Sequence, residues 1–407
     1  NDAEQQWYIR TDRGDHMRAR FVICANGTLS KPKLSKISGM ETFTGHSFHT
    51  SRWDYGWTGE KLEKLRDKTV GIIGTGASAV QIVPEVARCA KALYVFQRTP
   101  SSIDVRDDWP TDPNWARKLQ PGWQSKRRAR VLAAFERNPQ EQARLDALSP
   151  EEKLRQQENT NIDYMMRVHK RIDEIVVDKT TADALKPWYM FMCKRPCFHD
   201  EYLPTFNRPN VHLVDTAGQG VERMTQSGVV VAGREYPLDC LIFATGFEVG
   251  TAYTRRAGYD PVGRGGVKLS DKWKDGLRTL HGLQTNGFPN CFFLGFTQSG
   301  ITVNVPQSLN EQALHVTYIL DQLKTRAAHS VEASLQGEAG WVAEMHSKAY
   351  LGQEFRAECT PGYYNNEGQV GNANGFFSFS YGGGPLRFFE ILKQWRAAGS
   401  LDGCTLR

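Results

Sequence analysis

The stretch KTVGIIGTGASAVQIVPEVA, Lys68 to Ala87, limits what this chain can fold into more than any other. An apolar run of strand length enters a glycine turn, and a run of helix length leaves it. KALYVFQR, Lys91 to Arg98, reads as the next strand, so the unit is β-α-β. The turn itself, Gly74-Thr75-Gly76-Ala77-Ser78-Ala79, has the form G-x-G-x-x-A, which is weak evidence alone. A strand before it and a helix after it turn it into a dinucleotide fingerprint. Gly74 allows the tight turn, Gly76 lets backbone approach a pyrophosphate, and Ala79 keeps helix close to strand. The helix N-terminus then attracts the phosphate charge. The bland alternative is a tight strand-to-helix turn and nothing more.

The end of the second strand selects the nucleotide. An acidic residue roughly 20 positions on would bind a ribose 2′-hydroxyl. Gln97-Arg98 stands there instead, Arg98 being twenty-two positions after Gly76. A guanidinium suits a 2′-phosphate, so NADP(H) is the expected cofactor, against the alternative of a surface arginine. Gln81, on the helix, and Thr99 complete the expected cofactor-binding set.

With 407 residues the chain has room for two or three domains. A net charge of +6 suits an anionic small ligand and falls short of the basic stripe that nucleic acid requires. The basic run Ser125 to Arg130 reads as a solvated helix face. The eight cysteines are scattered and form no CxxC pair, which points to a reducing, cytoplasmic setting, and there is no apolar run of membrane-span length. QWYIRT and RFVICANG read as two strands joined by the turn DRGD. Residues 107–185 are charged and helix-forming. Ser149, Pro150 and Glu152 mark a helix start with a capping box, and nothing in this block suggests chemistry by itself. The α/β pattern resumes at Asn210 and again at Gly228 to Phe247. A late strand around Asn290 leads to a long helix from about Pro306. Two strands, RFVICANG and CLIFATGF, close with Ala-x-Gly on either side of the fingerprint.

Phe43, Gly45, His49 and Trp53, in FTGHSFHTSRWD, recur at a spacing that neither helix nor strand periodicity demands. Together with the Ala-x-Gly strand ends, the mid-chain NADP motif and a late NxFFxG segment, this FxGxxxHxxxW pattern resembles the type I Baeyer–Villiger monooxygenases, over essentially the whole chain. The resemblance implies an α/β two-dinucleotide-binding flavoprotein: an NADP Rossmann-like domain inserted into a FAD domain, with a helical insertion. The implied boundaries are 1–54 for a remnant of the FAD domain and hinge motif, 55–106 with 186–250 for the NADP domain, 107–185 for the insertion, and 251–407 for the return to the FAD domain and the substrate segment.

By the same resemblance, His49 and Trp53 couple bound NADP to the flavin domain, and Lys194 assists Arg98 at the 2′-phosphate. Arg195 is the implied catalytic residue. A cation that never deprotonates suits a peroxyanion on the flavin and the oxyanion of the ketone adduct. Val305, where the late helix starts, is the implied flavin contact, since a helix dipole there would stabilise reduced flavin. The implied reaction inserts one oxygen of O2 beside a ketone carbonyl, through a C4a-peroxyflavin, and gives an ester or lactone at the expense of NADPH. The expected partners are a small ketone and O2. The loops 297–303 and 362–374 are the expected lining of the substrate pocket. The family's own FAD fingerprint has no counterpart after Asn1, so an upstream segment is expected to carry it. Two other readings stay open: a flavin monooxygenase that oxidises nitrogen or sulfur, and a non-catalytic NADP(H)-binding fragment.

Overall fold

Five strands build the central sheet of the computed structural model: β1 (His46–His49), β2 (Thr69–Ile73), β3 (Ala92–Gln97), β4 (Val211–Asp215) and β5 (Cys240–Phe243). All neighbours are parallel, and the order is β1-β5-β2-β3-β4. The structure describes residues 1–133, 140, 143–144, 147–300, 302, 304–348, 353–371 and 380–407. Positions 301, 303 and 372–374 of the expected pocket loops lie outside the described residues.

The apolar runs of β2, β3 and β5 are continuous because both faces of the sheet are covered. Val70, Ile72, Leu93, Val95, Cys240 and Ile242 pack on one face against Val80, Val83 and Ala87 of helix α1 (Ala77–Cys89). Phe96, Val214, Leu241 and Phe243 pack on the other, against Met224, Val229, Val231 and Tyr236 of a small antiparallel sheet. In register, His49, Phe243 and Ile73 lie side by side, so the carboxyl ends of β1, β5 and β2 share one rim.

The expected helical block belongs to this same unit. Helix α2 (Pro150–Ile175) starts at the expected capping box: Glu152 N–H donates to Ser149 Oγ (3.2 Å) and Ser149 N–H to Glu152 Oε2 (2.8 Å). Its C-terminal half buries Met165, Val168 and Ile172, the last two in the core around α1.

Contacts divide the chain into Pro32–Phe247 and a second unit of Asn1–Lys31 with Glu248–Arg407. The contact division thus falls at 31/32 and 247/248, beside the expected divisions after residues 54 and 250. The physical reason is β1: its ladder with β5 makes the stretch before residue 54 an edge of the parallel sheet. The entering and leaving chains run side by side where they join the sheet unit. Lys33 N–H donates to Gly246 O (2.9 Å), and Pro32 bridges Phe247.

In the second unit the first expected strand pair is also corrected. Trp7–Arg10 pairs with His16–Ala19 across the DRGD turn, whereas Val22–Cys24 lies parallel to Cys291–Phe293. A long helix α3 (Val305–Thr325) follows that strand, beginning one residue before the expected Pro306. Both Ala-x-Gly strand ends turn through a left-handed glycine, Gly27 at φ 69° and Gly246 at φ 79°.

Candidate active site

The glycine turn leaves β2 at the shared rim. Gly74 has φ 111°, and a Cβ there would lie 2.6 Å from the Ala244 carbonyl oxygen on the neighbouring strand end. Only glycine meets both conditions. Gly76 differs: a Cβ there would meet nothing within 4 Å, so open space lies over the start of α1. Gly76 offers no side-chain cap, and the first intrahelical bond runs from Val80 N–H to Gly76 O (3.0 Å). The Ala77, Ser78 and Ala79 N–H groups therefore have no partner within the helix. Ala79 is fully buried against the sheet, as expected, whereas Gln81 is exposed and bonds its own helix at Ala77 O (2.8 Å).

The turn is tied to the end of β3. Thr75, which is buried, donates its hydroxyl to Thr99 O (2.6 Å), and Ser101 Oγ donates to Thr75 O (2.6 Å). Arg98 is exposed beside Thr99. The link continues: Ser102 N–H donates to Tyr189 Oη (3.1 Å), and Lys194 Nζ lies 5.8 Å from the centre of the Tyr189 ring. Burial pushes the Tyr189 hydroxyl well above its usual range. Ile103–Asp104 pairs in parallel with Cys197–Phe198, so the Arg98 and Lys194-Arg195 segments run into adjacent strands in the same direction. Lys194 is half-buried and Arg195 exposed. Burial raises the Cys197 thiol to about 11, partly offset by the Arg195 charge. The structure thus brings Gly74, Thr75, Gly76, Thr99, Lys194 and Arg195 into one connected region of the sheet unit.

The FxGxxxHxxxW residues bracket β1, which explains their spacing. Phe43 and Gly45 precede the strand. A Cβ on Gly45 would lie 2.4 Å from Phe43 Cζ and 2.9 Å from Asp239 O, so this close approach excludes any larger residue. His49 ends the strand at the rim and meets the Phe247 ring edge-on at 5.6 Å. Its Nδ1 accepts the Ser51 N–H (3.1 Å), and burial lowers its pKa, which favours the neutral ring. Trp53 packs edge-on to Phe48 (5.1 Å) and donates Nε1–H to Thr58 Oγ1 (3.0 Å). Asp54, next to it, caps a short helix through Trp57 N–H. Val305 lies in the other unit, half-buried at the first turn of α3, where Asn304 provides no side-chain cap.

The chain aligns over its full length with a neopentalenolactone D synthase of Streptomyces avermitilis, at 50% identity and over 73% of that protein. A Baeyer–Villiger monooxygenase of Streptomyces coelicolor is 43% identical over 97% of this chain and 69% of its own length. This chain belongs to the Baeyer–Villiger monooxygenase family. Among solved structures, a polycyclic ketone monooxygenase from the fungus Thermothelomyces thermophila superposes on the whole chain, with a TM-score of 0.86, 37% identity and 72% of its own chain covered. No family model matches the chain. Among the described residues no helix is long and apolar enough to cross a membrane.

For a Baeyer–Villiger monooxygenase, the sequence reading missed Tyr189, Ser101 and Ser102, which connect the glycine turn to the lysine-arginine loop. No local signal distinguishes them, because their roles arise from contacts between distant segments. It also missed what the helical block does. Helix α2 holds that loop through Asn161, His169 and Asp173.

Proposed function

We propose that this chain uses its glycine turn to hold the pyrophosphate of NADP(H), and its lysine-arginine loop to serve oxygen insertion next to a ketone carbonyl, giving an ester or lactone. The observation that carries the reading is the open, uncapped start of α1 at Gly76, joined through Thr75, Ser101, Ser102 and Tyr189 to Lys194 and Arg195.

The free N–H groups at Ala77 to Ala79 suit a pyrophosphate, and the positive end of the helix adds to their attraction. Arg98 and Lys194 meet the 2′-phosphate, Arg98 as a bidentate fork and Lys194 as a point charge seated on Tyr189. Toward FAD, the uncapped N-terminus of α3 at Val305 suits the negative charge of a reduced flavin ring. Bound FAD and NADPH supply the electrons and the oxygen-activating centre. The Arg195 guanidinium stabilises the negative charge that gathers on the ketone oxygen as the new C–O bond forms. His49, held neutral at the end of β1 against Phe247, couples the nucleotide side to the crossover chain. Trp53 braces the same turn.

The substrate is a ketone carried on a bulky, ring-containing hydrocarbon. Support comes from the polycyclic ketone monooxygenase, 37% identical to this chain. No observation favours oxygenation of nitrogen or sulfur. The test is to follow NADPH consumption and ester formation by the FAD-loaded enzyme with a polycyclic ketone. Arg195→Ala is expected to remove the ester. NADPH binding without ester formation by the wild-type enzyme would overturn the reading in favour of a non-catalytic binder.

A further inference from the structure

The lysine-arginine loop has no secondary structure of its own from Lys186 to Pro196 that could fix the direction of Arg195 across turnovers. Helix α2 fixes it from the side. Lys186 Nζ pairs with Asp173 Oδ1 (2.7 Å), and His169 Nε2–H donates to Pro187 O (2.7 Å). Farther back along the helix, Asn161 Oδ1 accepts the Phe191 N–H, and the Tyr164 ring lies 3.8 Å from the Phe191 ring. Asp173, His169, Met165 and Asn161 are four residues apart in sequence, so they form one row along the helix. The loop runs antiparallel to that row and touches it at 186, 187 and 191.

Beyond Phe191 the chain closes a turn, with Cys193 N–H donating to Met190 O (3.0 Å). Met192 inside the turn has φ 68°, a left-handed conformation that a side chain with a Cβ adopts only when its surroundings impose it. Lys194 and Arg195 follow directly. Asn161 is the last polar anchor from α2 before this strained turn. Without it the Phe191 N–H loses its partner, and the turn loses its hold on α2, keeping only the disulfide at Cys193 to limit the shift of Arg195. Lys194 has an independent support in Tyr189, whose hydroxyl is held by Ser102.

We propose that Asn161 is a positioning residue for the Arg195 guanidinium, and that the helical insertion exists in part to present this loop. The inference rests on the role of Arg195 in the reading above. Losing the anchor separates two properties: NADPH recognition, which keeps its Tyr189 and glycine-turn supports, and productive oxygen insertion, which depends on sub-ångström placement.

The test compares Asn161→Ala, Asn161→Asp and Arg195→Ala in the FAD-loaded enzyme. It measures ester formed per NADPH consumed, the KM for NADPH, and amide hydrogen exchange of the 187–196 peptide. Asn161→Ala is expected to cut the ester yield about tenfold or more, to leave the KM for NADPH within about threefold, and to speed exchange of that peptide. Asn161→Asp keeps an acceptor for Phe191 N–H and is expected to restore both yield and protection. Unchanged exchange and unchanged yield in Asn161→Ala would overturn the proposal. So would an equal loss in Asn161→Asp, which would point to general destabilisation. If Arg195→Ala itself keeps the ester yield, the role of Arg195 falls, and the exchange data still decide whether Asn161 holds the loop.

Discussion

Replacing each glycine of the turn by alanine separates folding from binding, because the two positions face opposite surroundings. At Gly74 the new methyl would sit 2.6 Å from the Ala244 carbonyl oxygen and 3.1 Å from its carbon, both backbone atoms that cannot swing aside. The backbone there, at φ 111°, adds a strain of about 1–3 kcal/mol for a non-glycine residue. Gly74→Ala should therefore destabilise the sheet unit by at least about 2 kcal/mol, and lose NADPH binding as a consequence. At Gly76 the backbone is ordinary, with φ −74° and ψ −172°, and a methyl meets nothing within 4 Å. Gly76→Ala should leave stability unchanged, or raise it by about 0.4–1 kcal/mol through a less flexible unfolded chain. The methyl instead enters the space over the Ala77 to Ala79 amides. Losing one charge-assisted hydrogen bond there costs about 2 kcal/mol, or roughly 30-fold in NADPH affinity. Urea unfolding and NADPH fluorescence titration of both variants test the argument. Normal NADPH affinity in a well-folded Gly76→Ala protein would refute the placement of the phosphate. Wild-type stability in Gly74→Ala would refute the steric argument.

Three further outcomes follow from the same structure. Arg98→Leu should weaken NADPH by about tenfold or more while leaving NADH nearly unaffected, since only the 2′-phosphate distinguishes them; steady-state KM values for both nucleotides measure this. Gly45→Ala should destabilise by about 1–3 kcal/mol through its clash with the Phe43 ring and Asp239 O, with part of the loss recovered in a Phe43→Leu background, as read from urea midpoints. Burial lowers His281 to about 4 and His315 to about 2, and both rings are neutral in the folded chain. Unfolded histidines protonate near 6.5, so their contribution is fully present above that pH and is lost as pH falls toward 4 for His281, and lower for His315. At pH 5 each has lost about 2 kcal/mol, and His281→Phe should flatten the fall in urea midpoint between pH 7 and pH 5.

The β-α-β unit, the start of α2 and the placement of Arg98 were all legible in the sequence, because their signals span only a few neighbouring residues. A strand, a glycine turn and a helix follow one another directly. Ser149 and Glu152 satisfy each other within one turn, and Arg98 directly follows its strand. The FxGxxxHxxxW spacing was also legible as a pattern, but its cause was not. It is the length of an edge strand, and Gly45 is required because the Phe43 ring and the carbonyl of Asp239 crowd its Cα. Only the tertiary structure decided that residues 32–54 belong to the unit of the parallel sheet, that Val22–Cys24 pairs with Cys291–Phe293, and that Asn161 reaches Phe191. Periodicity reports which face of an element is buried and says nothing of what it is buried against. The partner is chosen by packing between segments far apart in the chain, and on those contacts the direction of Arg195 depends.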